Sequence, residues 1–303
     1  MPERLPAISL VAVPGRRRQT LDIAREVERR GFSGIYMPSR WNNMAQCTGL
    51  ALTTERIRFG TAIAPIYAQT PEEFAMSAAY IHEVSSGRFR FGIGVAHGPT
   101  HQRLGVAVGK PLADTRAFVE KLRSFEGIGD LPPVVLAALR RRMVALAAEI
   151  AQGVLFANAS LSHMAASLSV VPSGKRNSPD FLVGNMLPVC IADDESAALA
   201  LHRRRLVRYV LLPNYRNYWK EAGYGAEMAG VERAIAEERR DDIPRYLTDR
   251  WVADNTLSGS AAKVRDRLAA WYDAGVDTPV LVPNSLNGNQ LTALDEIFAA
   301  FAR

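Results

Sequence analysis

The residue best placed for chemistry is His97, which lies two residues beyond a glycine-rich apolar stretch, Phe89–Val95. A histidine just beyond a strand end can serve as a general acid or as a hydrogen-bond donor to a cofactor. His101 lies four residues later, a spacing that binds metal when both histidines share a helix face. Gly98-Pro99 predicts a loop here instead, and no carboxylate lies near enough in sequence to complete a site. We therefore predict no metal centre.

The glycines within Phe91–Gly98 allow two explanations, and the sequence leaves both open. They could let a flat ring or a phosphate approach the backbone, or they could serve only tight packing between strands. The stretch is not a G-x-G-x-x-G motif leading into a helix, so it does not indicate a dinucleotide-binding fold.

Other common catalytic motifs are absent from the sequence. It contains no G-x-S-x-G nucleophile elbow and no G-x-x-x-x-G-K-[ST] phosphate loop. A chain without an obvious nucleophile or acid pair is typical of hydride-transfer enzymes, in which a cofactor carries the difficult chemistry.

The composition is that of an ordinary globular protein, with 303 residues of which 48% are hydrophobic and 22% charged. The two cysteines, Cys47 and Cys190, are far apart and lack metal-ligand spacing, which favours buried thiols in a cytoplasmic protein. No stretch approaches the roughly 20 apolar residues of a membrane-spanning helix. We expect a cytoplasmic protein with no membrane partner.

The net charge of +6 comes partly from short arginine clusters. These clusters are Arg16–Arg18, Arg140–Arg142, Arg203–Arg205 and Arg239–Arg240. They are not interleaved with aromatic residues and no nucleic-acid motif accompanies them, so we expect no nucleic-acid partner. They indicate either solvated helix faces or one cluster that meets an anionic cofactor tail.

Short apolar runs alternate with amphipathic helical stretches along the whole chain, which favours a parallel sheet built from βαβ units. The predicted strands are Ala7–Val13, Gly34–Met37, Ile57–Ile63, Phe89–Val95, Pro133–Ala138, Gly153–Asn158, Leu182–Ile191 and Thr278–Val282. This count predicts a single α/β domain over residues 1–303, a (β/α)8 TIM barrel with a helical insertion (Asn214–Thr248) before the last βα unit. An open, doubly wound sheet is the alternative. In a barrel, the carboxyl ends of the strands build the active site.

Five segments in order resemble one family. They are Gly31–Trp41, Arg56–Ile63 with Thr70-Pro71, Ser86–Gly94, Pro132–Ala138 with Arg142-Met143, and Gly259–Ala262 with Ala274–Asp277. Together they resemble the bacterial-luciferase-like monooxygenase superfamily, and within it the branch that uses the deazaflavin coenzyme F420. The resemblance covers residues 5–285.

The resemblance implies a deazaflavin at the barrel mouth. It implies a non-proline cis peptide at Ala62–Ile63 behind the ring, and Gly94, Val95 and His97 at the polar edge of the ring. The phosphate-bearing tail would meet the loop after the fifth strand, formed by Ala137, Ala138, Leu139, Arg140 and Arg141. Relatives often carry an acid and a histidine where this chain has Ser39 and Arg40, and glutamate where it has His97.

These features lead to three functional hypotheses. The first is an F420-dependent oxidoreductase that transfers a hydride between the deazaflavin and a small organic substrate. His97 would act as proton donor, Arg40 would hold an anionic substrate, and Ser39 would contact the cofactor. The second is an FMN-dependent monooxygenase, and the third is a catalytically inactive barrel that acts as a binding protein. By analogy with the family, we expect a homodimer.

Overall fold

The computed structural model describes residues 4–40 and 42–302. Trp41, which ends the first segment of the family resemblance, lies outside the described residues. The strands are β1 (Ala7–Ser9), β2 (Gly34–Met37), β3 (Arg58–Thr61), β4 (Ala64–Pro65), β5 (Phe89–Gly94), β6 (Val134–Ala137), β7 (Gly153–Ala157), β8 (Leu182–Ile191), β9 (Leu257–Gly259) and β10 (Thr278–Asn284).

The sheet closes on itself. Its order is β10-β1-β2-β3-β5-β6-β7-β8, and β10 pairs with β8 as well as with β1, in parallel on both sides. Ala7 lies opposite Val280 on one side of β10, and Gly184 lies opposite Thr278 on the other. This closure confirms the (β/α)8 barrel and rejects the open, doubly wound sheet. The strands β4 and β9 extend the barrel beside β5 and β8.

The helices surround this barrel. They are α1 (Arg17–Arg29), α2 (Asn43–Thr53), α3 (Pro71–Val84), α4 (Gly98–Leu104), α5 (Pro111–Arg123), α6 (Arg141–Ile150), α7 (Met164–Leu168), α8 (Ser173–Arg176), α9 (Glu195–Val210), α10 (Pro213–Glu221), α11 (Gly225–Ala236), α12 (Ile243–Tyr246), α13 (Asp249–Asn255), α14 (Ala261–Asp273) and α15 (Gln290–Ala300). The predicted start of α3 is confirmed, because Thr70 and Glu73 form a capping box with Pro71 in the first turn.

The loop predicted at Gly98-Pro99 is wrong, because α4 begins at Gly98. Proline is tolerated in the first helical turn, where its missing N–H has no helical partner to lose. Three further elements, α2, β4 and β9, were not predicted. The helix α2 carries none of the charged residues that mark a surface helix, and the strands β4 and β9 have only two and three residues.

The helical insertion predicted at Asn214–Thr248 is present as α10–α12 and is continued by α13, and these helices pack over the carboxyl end of β7. The Trp219 and Trp251 rings meet edge to face, with centroids 4.8 Å apart. The Tyr218 hydroxyl accepts a hydrogen bond of 3.0 Å from the Ser160 amide, just beyond β7. The insertion therefore forms one wall above the barrel.

Beneath the mouth, the barrel interior is filled with buried side chains. This layer consists of Ala7, Tyr36, Ala62, Val135, Leu155 and Val280. Cys47 and Cys190 are both buried and unpaired, as predicted. Among the described helices, we find none with the length and apolar character needed to cross a bilayer.

Candidate active site

The ends of β2 and β3 meet at a cis peptide bond between Ala62 and Ile63, as the family resemblance predicted. The Ala62 amide donates a hydrogen bond of 2.8 Å to the Met37 carbonyl at the end of β2. The buried Asn43 side chain on α2 donates to the same carbonyl at 3.2 Å and to the Ile63 carbonyl at 3.1 Å. Asn43 thus fixes the relative position of two strand ends.

Three of the predicted cofactor residues lie against one another at the mouth. A Cβ atom built on Gly94 would lie 2.8 Å from the Ala137 Cβ and 3.4 Å from Ile63 side-chain carbons, so only glycine fits there. Ile63 and Ala137 are both partly exposed at the barrel opening. Ile63, Gly94 and Ala137 therefore form a continuous apolar wall, which we call the mouth wall.

Close packing also explains the neighbouring glycine of β5. A Cβ on Gly92 would stand 1.9 Å from the Thr61 carbonyl oxygen, which no side chain could tolerate. The Thr61 hydroxyl donates a 2.6 Å hydrogen bond to the Gly92 carbonyl from the other side. Gly92 and Gly94 are required for strand packing, and at Gly94 this packing also keeps the mouth wall free of side-chain bulk.

His101 supports the end of β5. Its Nε2 donates a 2.5 Å hydrogen bond to the Val95 carbonyl, and its ring meets Tyr67 edge to face at 5.6 Å. The Tyr67 hydroxyl in turn donates to Asp114 at 2.6 Å. Within the described ranges, no cluster of three or more metal-ligand side chains occurs. The structure gives His101 a positioning role for Val95.

His97 is half-buried between β5 and the insertion. Its ring packs edge to face against the buried Tyr215 of α10, with centroids 5.5 Å apart. Burial, reinforced by the nearby His101, lowers the pKa of His97 below its usual value. The imidazole is therefore neutral at pH 7, and it can offer an N–H donor and a nitrogen acceptor at the mouth.

The loop after β6 leads directly into α6. Ala138 is buried, Leu139 is half-buried, and Arg140 occupies the N-cap position of α6 without a side-chain capping bond. The Arg140 guanidinium forms an ion pair with Glu221 of α10, with Nε 2.8 Å from Oε1. Arg141 donates to the Ser169 hydroxyl at 3.0 Å. The first amides of α6, which lack helical partners, and two arginines thus lie together.

Ser39 and Arg40 lie on the rim after β2, two strands away from β5. Ser39 is half-buried and Arg40 is exposed. The Arg40 amide donates to the Pro38 carbonyl at 2.7 Å, and the Arg40 carbonyl accepts a bond of 3.1 Å from the Gln46 side chain.

Sequence reasoning missed three residues of this site: Asn43, Tyr215 and Glu221. Consecutive asparagines at 42 and 43 are a helix-start signal, and Asn42 does cap α2. That signal would have located α2, but not the two carbonyls that Asn43 binds. Tyr215 and Glu221 come from the insertion, whose docking onto the barrel has no local signature.

The chain is similar over most of its length to proteins named as oxidoreductases or monooxygenases. The family model described as luciferase-like monooxygenase matches residues 7–127 and 123–278. A Mycobacterium tuberculosis protein named as a coenzyme F420-dependent oxidoreductase is 27% identical, over 87% of this chain and 90% of that protein. The 5,10-methylenetetrahydromethanopterin reductase of Archaeoglobus fulgidus is 32% identical over 44% of this chain, and the match spans about half (47%) of that protein.

Solved structures share the fold at low sequence identity. The coenzyme F420-dependent tetrahydromethanopterin reductase from Methanopyrus kandleri has a TM-score of 0.75 at 17% identity, over 97% of each chain. An F420-dependent secondary alcohol dehydrogenase, in complex with an F420–acetone adduct, has a TM-score of 0.70 at 14% identity over 99% of each chain. An FMN-bound type II Baeyer–Villiger monooxygenase from Pseudomonas putida reaches 0.60 at 16% identity over 91% of each chain.

Proposed function

Because this chain belongs to the luciferase-like monooxygenase family and is an oxidoreductase, we propose that it transfers a hydride between coenzyme F420 and a small organic substrate. The observation that carries the proposal is the mouth wall, where Ile63, Gly94 and Ala137 leave a flat apolar surface at the barrel opening. A planar ring can stack on such a surface, since no side chain projects from Gly94. The relative and the structural neighbours that are named as F420-dependent favour the deazaflavin over other flat cofactors.

The residues around the mouth wall suit a cofactor with a flat ring and an anionic tail. Arg140, Arg141 and the first amides of α6 offer positive charge and hydrogen-bond donors to a phosphate. Val95 and His97 lie at the end of β5, beside Gly94, where they would meet the polar edge of the ring. When bound, the deazaflavin would supply the hydride donor or acceptor, so the protein needs no nucleophile of its own.

We assign His97 the role of a neutral hydrogen-bond donor to the cofactor or substrate. Its lowered pKa argues against a cationic acid at neutral pH. Arg40 on the rim is the candidate to hold an anionic substrate, and Ser39 the candidate cofactor contact beside it. Arg40→Ala should therefore raise the KM for the substrate, and Ser39→Ala should raise the Kd for the cofactor.

The His97→Ala variant should lose turnover by about tenfold to a hundredfold, the effect of removing one well-placed hydrogen bond. Activity of the native enzyme should not fall between pH 7 and 8.5 through His97, because a group with a lowered pKa is already neutral there. Steady-state kinetics across this pH range give both results. Unchanged turnover and unchanged cofactor affinity in His97→Ala would remove His97 from the mechanism.

Titration of the purified protein with F420 and with FMN, followed by fluorescence, tests the cofactor. Tight binding of F420 and weak binding of FMN supports the proposal. A preference for FMN would favour the second candidate, an FMN-dependent monooxygenase. The FMN-bound monooxygenase among the structural neighbours is the observation that supports this candidate. Failure to bind either cofactor would contradict both candidate functions and favour the hypothesis of a catalytically inactive barrel.

A further inference from the structure

A cavity lies between α1 and α2, beside the carboxyl end of β2. Its volume is about 470 Å³, which is within the usual range of small-molecule sites. The floor is apolar and is formed by Leu21, Met37 and Leu50. Asn42, the N-cap residue of α2, and Gln46 within α2 also line it. We call this cavity the α1–α2 cleft.

Two arginines at the start of α1, Arg17 and Arg18, line the same cleft. Both are exposed, and neither forms an ion pair with any residue in the described part of the chain. The later arginines around α1 are all paired, Arg25 with Asp22, and Arg29 and Arg30 with Glu26. The helix thus supplies carboxylates to its other arginines but not to those at the cleft.

The position of Arg17 and Arg18 also works against the stability of α1. The amino end of a helix carries a partial positive charge, so cations in the first turn are disfavoured. The first turn of α1 contains no acidic residue, and Arg16 at the N-cap makes no side-chain capping bond. Helix stability therefore does not account for two arginines at this position, whereas an anion bound in the cleft would.

We propose that the α1–α2 cleft binds an amphipathic organic anion. Its apolar body would lie on Leu21, Met37 and Leu50, and its carboxylate, phosphate or sulfonate would lie between Arg17 and Arg18. The F420 tail does not suit this cleft, since that tail is polar along its length and the floor is apolar. The proposal stands without the cofactor assignment, because none of the cleft residues belongs to the mouth wall or to the start of α6.

Binding of 1-anilinonaphthalene-8-sulfonate, an amphipathic sulfonate that fluoresces when desolvated, tests this proposal on the full chain. We expect saturable binding to the native protein, displaced by octanoate and octyl phosphate but not by uncharged octanol. The double variant Arg17→Ala/Arg18→Ala should bind the probe about tenfold more weakly, from the loss of charge-assisted hydrogen bonds. Ala45→Trp, which adds bulk at a lining position, should reduce binding further.

Two controls separate the cleft from other sites. Arg25→Ala removes an arginine from the same helix outside the cleft and should bind as the native protein does. The double arginine variant should melt at the native temperature or above it, because it removes cations from a helix amino end. A lower melting temperature would make the arginines structural and overturn the proposal. So would native affinity in the double variant, no saturable binding by the native protein, or displacement of the probe by F420.

Discussion

Asn43 is the residue that most directly connects a helix to the mouth of the barrel. Its amide binds two carbonyls, Met37 on β2 and Ile63 beyond β3. Met37 keeps a second donor, the Ala62 amide, whereas Asn43 is the side chain that donates to Ile63. Loss of the Asn43 amide would therefore leave the Ile63 carbonyl less satisfied, directly behind the mouth wall.

We expect Asn43→Ala to lower the free energy of unfolding by about 1–3 kcal/mol, the cost of removing a hydrogen-bond partner from a buried group. The cofactor should also bind more weakly, since Ile63 is part of the mouth wall. Urea unfolding and cofactor titration measure the two effects. Asn177→Ala, an exposed amide far along the chain, serves as the control. Native stability in Asn43→Ala would mean that the two carbonyls find other donors.

At this scale, the sequence could predict the residues that follow directly from strand ends. Ile63, Gly94 and Ala137 were predicted from the family resemblance, and they lie at or near the ends of predicted strands, where the carboxyl ends of parallel strands converge. The contacts of Asn43, Tyr215 and Glu221 depend on how helices dock. Helix docking depends on packing between segments that are distant in sequence, so local sequence patterns do not predict it.

Among the elements, α10 has the strongest influence on the candidate site. It brings Tyr215 against His97 and Glu221 against Arg140. The second contact places a carboxylate on an arginine that we propose for the cofactor phosphate. An exposed ion pair of this kind contributes little to stability, so its main effect is competition for the Arg140 guanidinium.

This competition predicts opposite effects for the two partners. Glu221→Gln should bind F420 several-fold more tightly, because Arg140 is released, and Arg140→Ala should bind it several-fold more weakly. Both should unfold at nearly the native urea concentration, since the pair is exposed. Fluorescence titration measures the affinities. If both substitutions shift the affinity in the same direction, Arg140 does not contact the cofactor.

A buried histidine where α9 packs on β9 should make stability depend on pH. His202 is buried on α9, its Nδ1 lies 2.8 Å from the Ser258 hydroxyl, and burial lowers its pKa to about 3. The unfolded histidine titrates near 6.5. The fold is thus favoured above pH 6.5, and this contribution is lost as the pH falls from 6.5 towards 3.

For His202 alone, we expect the free energy of unfolding to fall by about 1.4 kcal/mol per pH unit below roughly 6.5. In His202→Asn this part of the slope should vanish, although the variant is less stable overall. Ser258→Ala removes the hydrogen bond but keeps the imidazole buried, so it should retain the slope. Urea unfolding at pH 7.5, 6.5 and 5.5 measures how the free energy of unfolding changes with pH in each protein. Equal slopes in His202→Asn and the native protein would contradict the role of His202.

The order of the barrel strands could be read from the sequence because each one is an apolar run bounded by turns. The short strands β4 and β9 could not, since two or three residues are too few for a periodic pattern. The helix α4 was obscured by Gly98-Pro99, residues that break a helix in its middle but are accepted at its start.

On the scale of the whole molecule, two neighbouring helices expose apolar side chains. Leu52 of α2 is 68% exposed, and Met76 and Tyr80 of α3 are 48% and 53% exposed. The helix α2 carries no charged residue at all. Exposed apolar side chains on adjacent helices are typical of protein interfaces. We expect this face to pair with the same face of a second copy.

The substitutions Leu52→Glu and Tyr80→Glu together should prevent the proposed homodimer from forming, because each would bury a charge in a self-complementary interface. Light scattering after size-exclusion chromatography measures the mass. Leu286→Glu, which changes an exposed leucine on a different part of the chain, should leave the mass unchanged. A native protein that is already monomeric at micromolar concentration would contradict the expectation.

Pairing of β1 with β10 joins Ala7 to Val280. During synthesis at roughly 5–20 residues per second, β10 leaves the ribosome about 15 to 55 seconds after β1. Until β10 is available, β1 presents an unpaired edge, as does β8 once it has been synthesised, and such edges are templates for aggregation. Nascent-chain folding of this barrel must therefore end with a late closure step, during which chaperone protection would matter most.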